Sequence, residues 1–242
     1  MQKNITIKTE DNHLIYGILN SRKKSNKLII FVHGLTGNKN EHIFFNGSKF
    51  FAENGFDTFR FDLYTWKDKG RKLSECTLKI HTIDTNTVVK HFKKKYRKIF
   101  LVGHSYGGLT ILQSDVSGVS GLVLWDSASL TNVSWISEKN YNKHLDAYIM
   151  KWGNEFVIGK EMFEETRKLP KPGELMKRIN VPIKIICAGK ASLVDDGKLF
   201  FKYAKNPKEF SIIKGAGHTF SEEGSEEELF AETLKFVDKY SK

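Results

Sequence analysis

Ile99-Phe100-Leu101-Val102-Gly103-His104-Ser105-Tyr106-Gly107 is the stretch that decides the fold. An apolar run meets a glycine, a serine follows two positions later, and a second glycine comes two positions after that. This is the pattern of a buried strand running into a sharp turn that carries a serine, with a helix beyond it. The spacing has a chemical reason. A serine hydroxyl attacks a carbonyl only if it stands clear of the backbone, on a turn too tight for ordinary residues. Gly103 and Gly107 let strand and helix pack closely around that turn. The competing reading of Ser105 is a plain helix N-cap, a position serine favours. The surrounding chain weighs against it.

Two further segments carry the same logic. Leu28-Ile29-Ile30-Phe31-Val32 is a continuous apolar run, as in a strand buried on both faces. It ends in His33-Gly34-Leu35-Thr36-Gly37. Far downstream, Glu209-Phe210-Ser211-Ile212-Ile213 leads into Gly215-Ala216-Gly217-His218-Thr219-Phe220. Serine before histidine, each just after a strand, is a known chain order for a nucleophile and its base. On these residues the chain resembles the α/β-hydrolase superfamily from about residue 13 to 240. Within it, the chain is similar to the small bacterial serine esterases and acyl thioesterases with a short helical cap.

The pattern along the chain fits that resemblance. Residues 5–8 and 13–19 read as an antiparallel hairpin, and strands and helices then alternate up to the strand at 121–126. Such alternation predicts a mostly parallel, doubly wound sheet with helices on both faces. Residues 63–77 have no clear period. Between about 127 and 181 the pattern changes to pieces that read as amphipathic helices, with Trp135, Tyr141, Tyr148, Trp152, Phe156 and Phe163 among them. The expectation is a single α/β-hydrolase domain over 1–242, with a small helical cap inserted at about 127–181.

The resemblance also implies a site. Ser105 is the expected nucleophile and His218 the general base. The oxyanion donors are expected to be backbone amides, those of Tyr106 and Leu35. His104 and His33 are read as shaping their turns. The acid is where the chain departs from the family. The usual position, after the penultimate strand, falls on Ala191 within Gly189-Lys190-Ala191-Ser192-Leu193-Val194. Three explanations stay open: Asp126 at the end of the earlier strand, Asp195 or Asp196 at the start of the next helix, or a lost acid. No cluster has metal-ligand spacing and Gly107-Gly108 lacks the residues of a phosphate loop, so no metal and no cofactor are expected.

Composition sets outer bounds. The 242 residues carry a formal net charge of +11 with 40% hydrophobic residues, enough for one buried core. The densest basic run, Lys90 to Lys98, closes a helix, where cations oppose the dipole and stay solvated. Nucleic acid is therefore not expected, while an acidic acyl-carrier protein is a conceivable partner for that surface. No apolar run approaches the roughly 18 residues of a membrane span. Two cysteines, Cys76 and Cys187, make no disulfide framework. The expectation is a cytoplasmic serine hydrolase acting on a small-molecule ester or thioester with an apolar acyl group. The rivals are an impaired hydrolase-fold binding protein and an acyltransferase using the same Ser–His pair.

Overall fold

Alternate residues of each central strand belong to different cores. The computed structural model describes residues 1–21, 25–129, 137–152 and 154–242. In β3 (Lys27–Val32), Leu28, Ile30 and Val32 pack into one core while Ile29 and Phe31 pack into the other. The same split recurs in β5 (Lys98–His104), with Ile99 and Leu101 against Phe100 and Val102. It recurs again in β6 (Gly121–Trp125), with Leu122 and Leu124 against Val123 and Trp125. Successive strand side chains point to opposite faces, so a continuous apolar run serves a sheet covered on both sides.

The covering helices sort accordingly. On one face lie α2 (Leu78–Lys93), α3 (Tyr106–Gln113), α5 (Pro172–Lys177) and α6 (Val194–Tyr203), supplying among others Val88, Leu109, Met176 and Phe200. On the other lie α1 (His42–Glu53) and α7 (Ser225–Tyr240), with Phe44, Phe51, Leu229 and Phe236. The eight-stranded sheet runs β1-β2-β4-β3-β5-β6-β10-β11. Here β1 is Gln2–Lys8, β2 Leu14–Asn20, β4 Asp57–Phe61, β10 Ile183–Ala188 and β11 Lys208–Ile213. The β1–β2 and β2–β4 pairings are antiparallel and the rest parallel. This is the α/β-hydrolase fold, with the N-terminal hairpin where the alternation put it.

Arg71 ties that hairpin to the rest. Its guanidinium donates to Asp11 in the hairpin turn (2.8 and 3.0 Å) and to Asp84 in α2 (2.6 and 2.9 Å). The loop after β4 is thereby anchored at its far end, although it holds only one short 3-10 turn, Leu73–Glu75.

The segment between β6 and β10 differs from the helical expectation. Among its described residues are two short α-helices, α4 (Lys160–Thr166) and α5, but a three-stranded antiparallel sheet precedes them. Its strands are β7 (Tyr141–Asn142), β8 (Ala147–Trp152) and β9 (Asn154–Gly159). The physical reason is legible afterwards. Tyr148 and Met150, then Phe156 and Ile158, alternate at period 2, and Tyr148 faces Ile158 and Met150 faces Phe156 across the β8–β9 pair. The aromatic residues taken alone also fit a helical spacing, which is the source of the helical expectation. Trp135 and the side chain of Trp152 lie outside the described residues. Tyr148, Met150, Ile158, Met162 and Phe163 form a satellite core with Cys76, against which Leu35, Tyr64 and Leu73 pack. The small sheet therefore leans on the turn after β3 and the loop after β4. No described helix is long and apolar enough to cross a membrane.

Candidate active site

Ser105 sits at φ 54°, ψ −120°, between β5 and α3. This is a region of backbone space that non-glycine residues rarely occupy, and holding it costs of the order of 1–3 kcal/mol. The glycines around it have steric work to do. A Cβ on Gly107 would lie 2.1 Å from the Val32 carbonyl oxygen, and one on Gly103 would lie 2.5 Å from that of Gly107. The Ser105 amide donates to the Trp125 carbonyl (3.0 Å), and its own carbonyl accepts from Gly108 N (3.1 Å) and Ser127 Oγ (3.2 Å). The turn is locked to the end of the neighbouring strand.

His218 arrives from the loop after β11. Glu222 holds that loop by accepting from Gly217 N at 2.9 Å. The His218 Nε2 lies 3.0 Å from Ser105 Oγ, and its Nδ1 lies 2.6 Å from Asp126 Oδ2. With Nδ1–H donating to a carboxylate, Nε2 presents its lone pair to the serine hydroxyl. Asp126 is fully buried and His218 is 41% exposed, so solvent reaches the pair from the histidine side. The other carboxylate oxygen accepts from Ala188 N at 3.0 Å. Asp126 also has a positive φ, 40°, and its amide donates to Ile186 O at 2.7 Å.

The structure separates the other acid candidates from the histidine. Asp195 is 89% exposed and pairs with Lys198 at 2.9 Å. Asp196 accepts from Ser129 N at 2.8 Å. Ala191 packs at the margin of the α1/α7 core, its amide donating to Ala188 O at 3.0 Å. Of the carboxylates considered, the structure brings Asp126 to His218.

Two buried histidines brace the site. His104 donates from Nε2 to the His218 carbonyl at 2.8 Å, with the rings 4.7 Å apart. Burial, then the neighbouring His218, pushes the His104 imidazole down to about 3, so it stays neutral. His33 accepts at Nε2 from Leu63 N (3.0 Å), which puts its proton on Nδ1, and Nδ1 donates to the Gly34 carbonyl (2.8 Å). Burial also lowers the His33 pKa.

The Gly34 carbonyl accepts further from Gly37 N (3.1 Å) and Tyr64 Oη (3.5 Å). In a trans peptide, C=O and N–H point in opposite directions. Fixing the Gly34 oxygen therefore fixes the Leu35 N–H on the other side. Gly34 itself lies against the Ser105 turn, since a Cβ there would be 3.1 Å from Ser105 Cβ. Among the described residues, neither the Leu35 nor the Tyr106 amide donates to another backbone group.

One neighbouring group gave no sequence signal. The Glu41 carboxyl lies against Gly37, in the space that a Cβ there would fill, and its Oε2 is buried without a partner. Burial pushes its pKa up to about 7, against the opposing pull of His42, the Asn38 amide and His218. Residues 36–41 have no periodicity, and only the fold brings them beside the serine.

Comparison with known proteins follows the same lines. The model of the alpha/beta hydrolase family matches residues 29–233. Among solved structures, Est1E from Butyrivibrio proteoclasticus with ferulic acid bound superposes with a TM-score of 0.84 at 17% identity, covering 98% of each chain. The esterase domain of a Rhodothermus marinus protein gives 0.77 at 16% identity, covering 99% of each chain. The Pyrococcus furiosus esterase Pf2001 gives 0.75 at 19% identity, covering 99% of this chain and 91% of that one. At such identities these likenesses speak for the fold. Among curated proteins, none matches the chain. With some 200 residues under the family model and the same fold in each of these structures, the chain belongs to the alpha/beta hydrolase family.

Proposed function

We propose that the protein is a serine hydrolase cleaving carboxylic esters or thioesters, with Ser105 as nucleophile, His218 as general base and Asp126 as its acid. The observation that carries this reading is the unbroken chain from Ser105 Oγ through His218 to Asp126, at 3.0 and 2.6 Å. Ser105 Oγ attacks the acyl carbon while its proton passes to His218 Nε2. The carbonyl π pair moves onto oxygen, facing the amides of Leu35 and Tyr106. Collapse of that intermediate expels the alcohol or thiol, which takes the proton back from Nε2. Water then repeats the sequence on the acyl-serine and releases the acid. Asp126 holds the imidazole in the tautomer that this transfer needs and stabilises the imidazolium.

Several features support the arrangement. Ser105 stands at the N-terminus of α3, where the helix dipole favours negative charge developing nearby. Ala191 stands where the family carries its acid, and the buried Asp126 carboxylate on the neighbouring strand end supports a retained acid over a lost one. The basic run at Lys90–Lys98 ends on the first residue of β5, while Ser105 follows its last. About six strand residues of about 3.3 Å each separate them, so that surface does not border the site. A small-molecule acyl donor fits better than a carrier protein docked there. Both cysteines are buried and free, their thiols pushed up to about 12 by burial, in keeping with a reducing, cytoplasmic setting.

The test is hydrolysis of 4-nitrophenyl acetate and of an acetyl thioester, with mass analysis of the trapped acyl-enzyme. The expected result is turnover with an acetyl group on Ser105. Turnover that survives Ser105→Ala, or acyl label on another residue, overturns the reading.

A further inference from the structure

A cavity of about 630 Å³ opens beside the Gly34–Gly37 turn. Three stretches far apart in sequence wall it: Thr36–Asn40 after β3, Tyr64–Trp66 with Lys72–Ser74 after β4, and Asn154–Val157 of β9. Its volume lies in the range that encloses a small organic group. Its near wall includes Thr36 and Gly37, which continue the turn whose Gly34 abuts Ser105, so the cavity extends outward from that turn.

The wall chemistry narrows the occupant. Trp66 is 90% exposed and makes no ring contact among the described residues, yet it lines this cavity. An indole left in water forgoes the burial that normally rewards so large a side chain, and it offers a flat stacking face. Tyr64, by contrast, is fixed, edge-on to His33 at 5.2 Å.

The charges on the walls cancel locally. Lys39 Nζ lies 2.5 Å from Asp62, Lys72 lies 4.0 Å from Glu75, and Glu155 lies 2.7 Å from Lys151. Asn38 Oδ1 accepts from Asn40 N at 2.8 Å, and Asn40 Oδ1 accepts from the Arg60 guanidinium. Their NH₂ groups, without partners among the described residues, remain as neutral donors. Such a cavity is flat-faced, uncharged in sum and rich in donors.

We propose that this cavity binds the aryl group of an uncharged aromatic ester, stacked on Trp66, with oxygen substituents on the ring accepting from Asn38 or Asn40. The proposal rests on the hydrolase reading above and adds a substrate class to it. The aryl group reaches the cavity from either the acyl or the alcohol side of the ester, and the experiment distinguishes the two.

The test measures kcat/KM for methyl 4-methoxybenzoate, 4-methoxybenzyl acetate, ethyl acetate and the anionic methyl 4-carboxybenzoate. It uses the wild type, Trp66→Ala and Trp66→Phe. Calorimetric binding of the same esters to Ser105→Ala, with and without Trp66→Ala, runs in parallel. The expected result is that one of the two methoxyaryl esters exceeds ethyl acetate by tenfold or more and that the carboxylate analogue does not. That gain falls below threefold in Trp66→Ala and is kept in Trp66→Phe, and binding to the Ser105→Ala protein weakens likewise. Hydrolysis of all four esters with ratios that Trp66→Ala leaves alone overturns the aryl site and spares the hydrolase. Absence of hydrolysis, with methoxyaryl binding that depends on Trp66, overturns the hydrolase reading and leaves the aryl site standing. Binding that ignores Trp66 overturns the aryl site whether or not the protein turns over.

Discussion

The turns after β6 and β10 flank the same histidine, and they differ in what they offer it. The β6 strand runs into Asp126, buried at positive φ, with its carboxylate on His218. The β10 strand runs into Ala188, whose amide donates to that same carboxylate, and then into Ala191, which has nothing to donate or accept beyond its backbone. The two strands are parallel neighbours, with Trp125 opposite Ile186. Adjacent strands lie about 4.8 Å apart, so their ends address nearly the same point above the sheet. A carboxylate carried by either end can therefore meet one imidazole, provided the other end supplies a donor. The difference teaches that the carboxylate on His218 is set by position in space more than by position in a motif.

That contrast can be broken in several ways. The largest effect is expected at the serine hydroxyl that the shared histidine meets. Ser105→Ala should lower kcat by about 10⁶ toward the uncatalysed rate, as loss of a serine nucleophile does elsewhere, and steady-state hydrolysis of 4-nitrophenyl acetate measures it. A retained rate would mean that neither turn matters to the chemistry.

Next comes the turn proposed to face the oxyanion. His33→Ala frees the Gly34 peptide that aims the Leu35 amide. Losing such a donor outright costs about 10²–10³ in kcat, so misaiming one should cost about 10–100-fold with KM little changed. A variant with wild-type kcat would show that the turn holds its shape without the imidazole.

Adding a carboxylate to the silent turn should do little. His218 has one Nδ1 proton and gives it to Asp126, so Ala191→Asp should change kcat by less than about threefold, well under 1 kcal/mol of barrier. A large gain in kcat would reverse the roles of the two turns.

The smallest effect concerns Glu41, whose pKa is raised to about 7 in the folded protein. For a carboxyl, a raised folded value means that the native state binds more protons than the unfolded chain. Stability is then full below the unfolded value, near 4.5, and falls as pH rises toward about 7. Glu41→Gln removes that loss. The variant should gain about 2–4 °C on the wild type at pH 8, and less at pH 5, in thermal melts. An equal difference at both pH values would mean that the carboxyl does not titrate between them.

The sequence reveals these regions unequally. The Ser105 turn is written locally, because only glycine fits where Gly103 and Gly107 sit, and the two-faced core is written in the unbroken apolar runs of β3, β5 and β6. Asp126 is visible as an aspartate at a strand end, but nothing in the chain says that β6 and β10 are neighbours or that Asp196 turns to Ser129. The small sheet at 141–159 carries a period of 2 that its aromatic residues masked. The Leu35 amide is expected only through the resemblance, while the Glu41 carboxyl and the Trp66 face meet the Gly37 turn only through the fold, from loops that have no period.

The most direct test of the account is a double-mutant cycle on kcat between Ser105→Ala and Asp126→Asn. Alone, Asp126→Asn should cost about 10⁴, because the histidine then rests in the wrong tautomer. On top of Ser105→Ala it should cost nothing further, since the residues act as one unit. An Asp126→Asn protein that keeps a tenth or more of the wild-type kcat would contradict the assignment of the acid to β6.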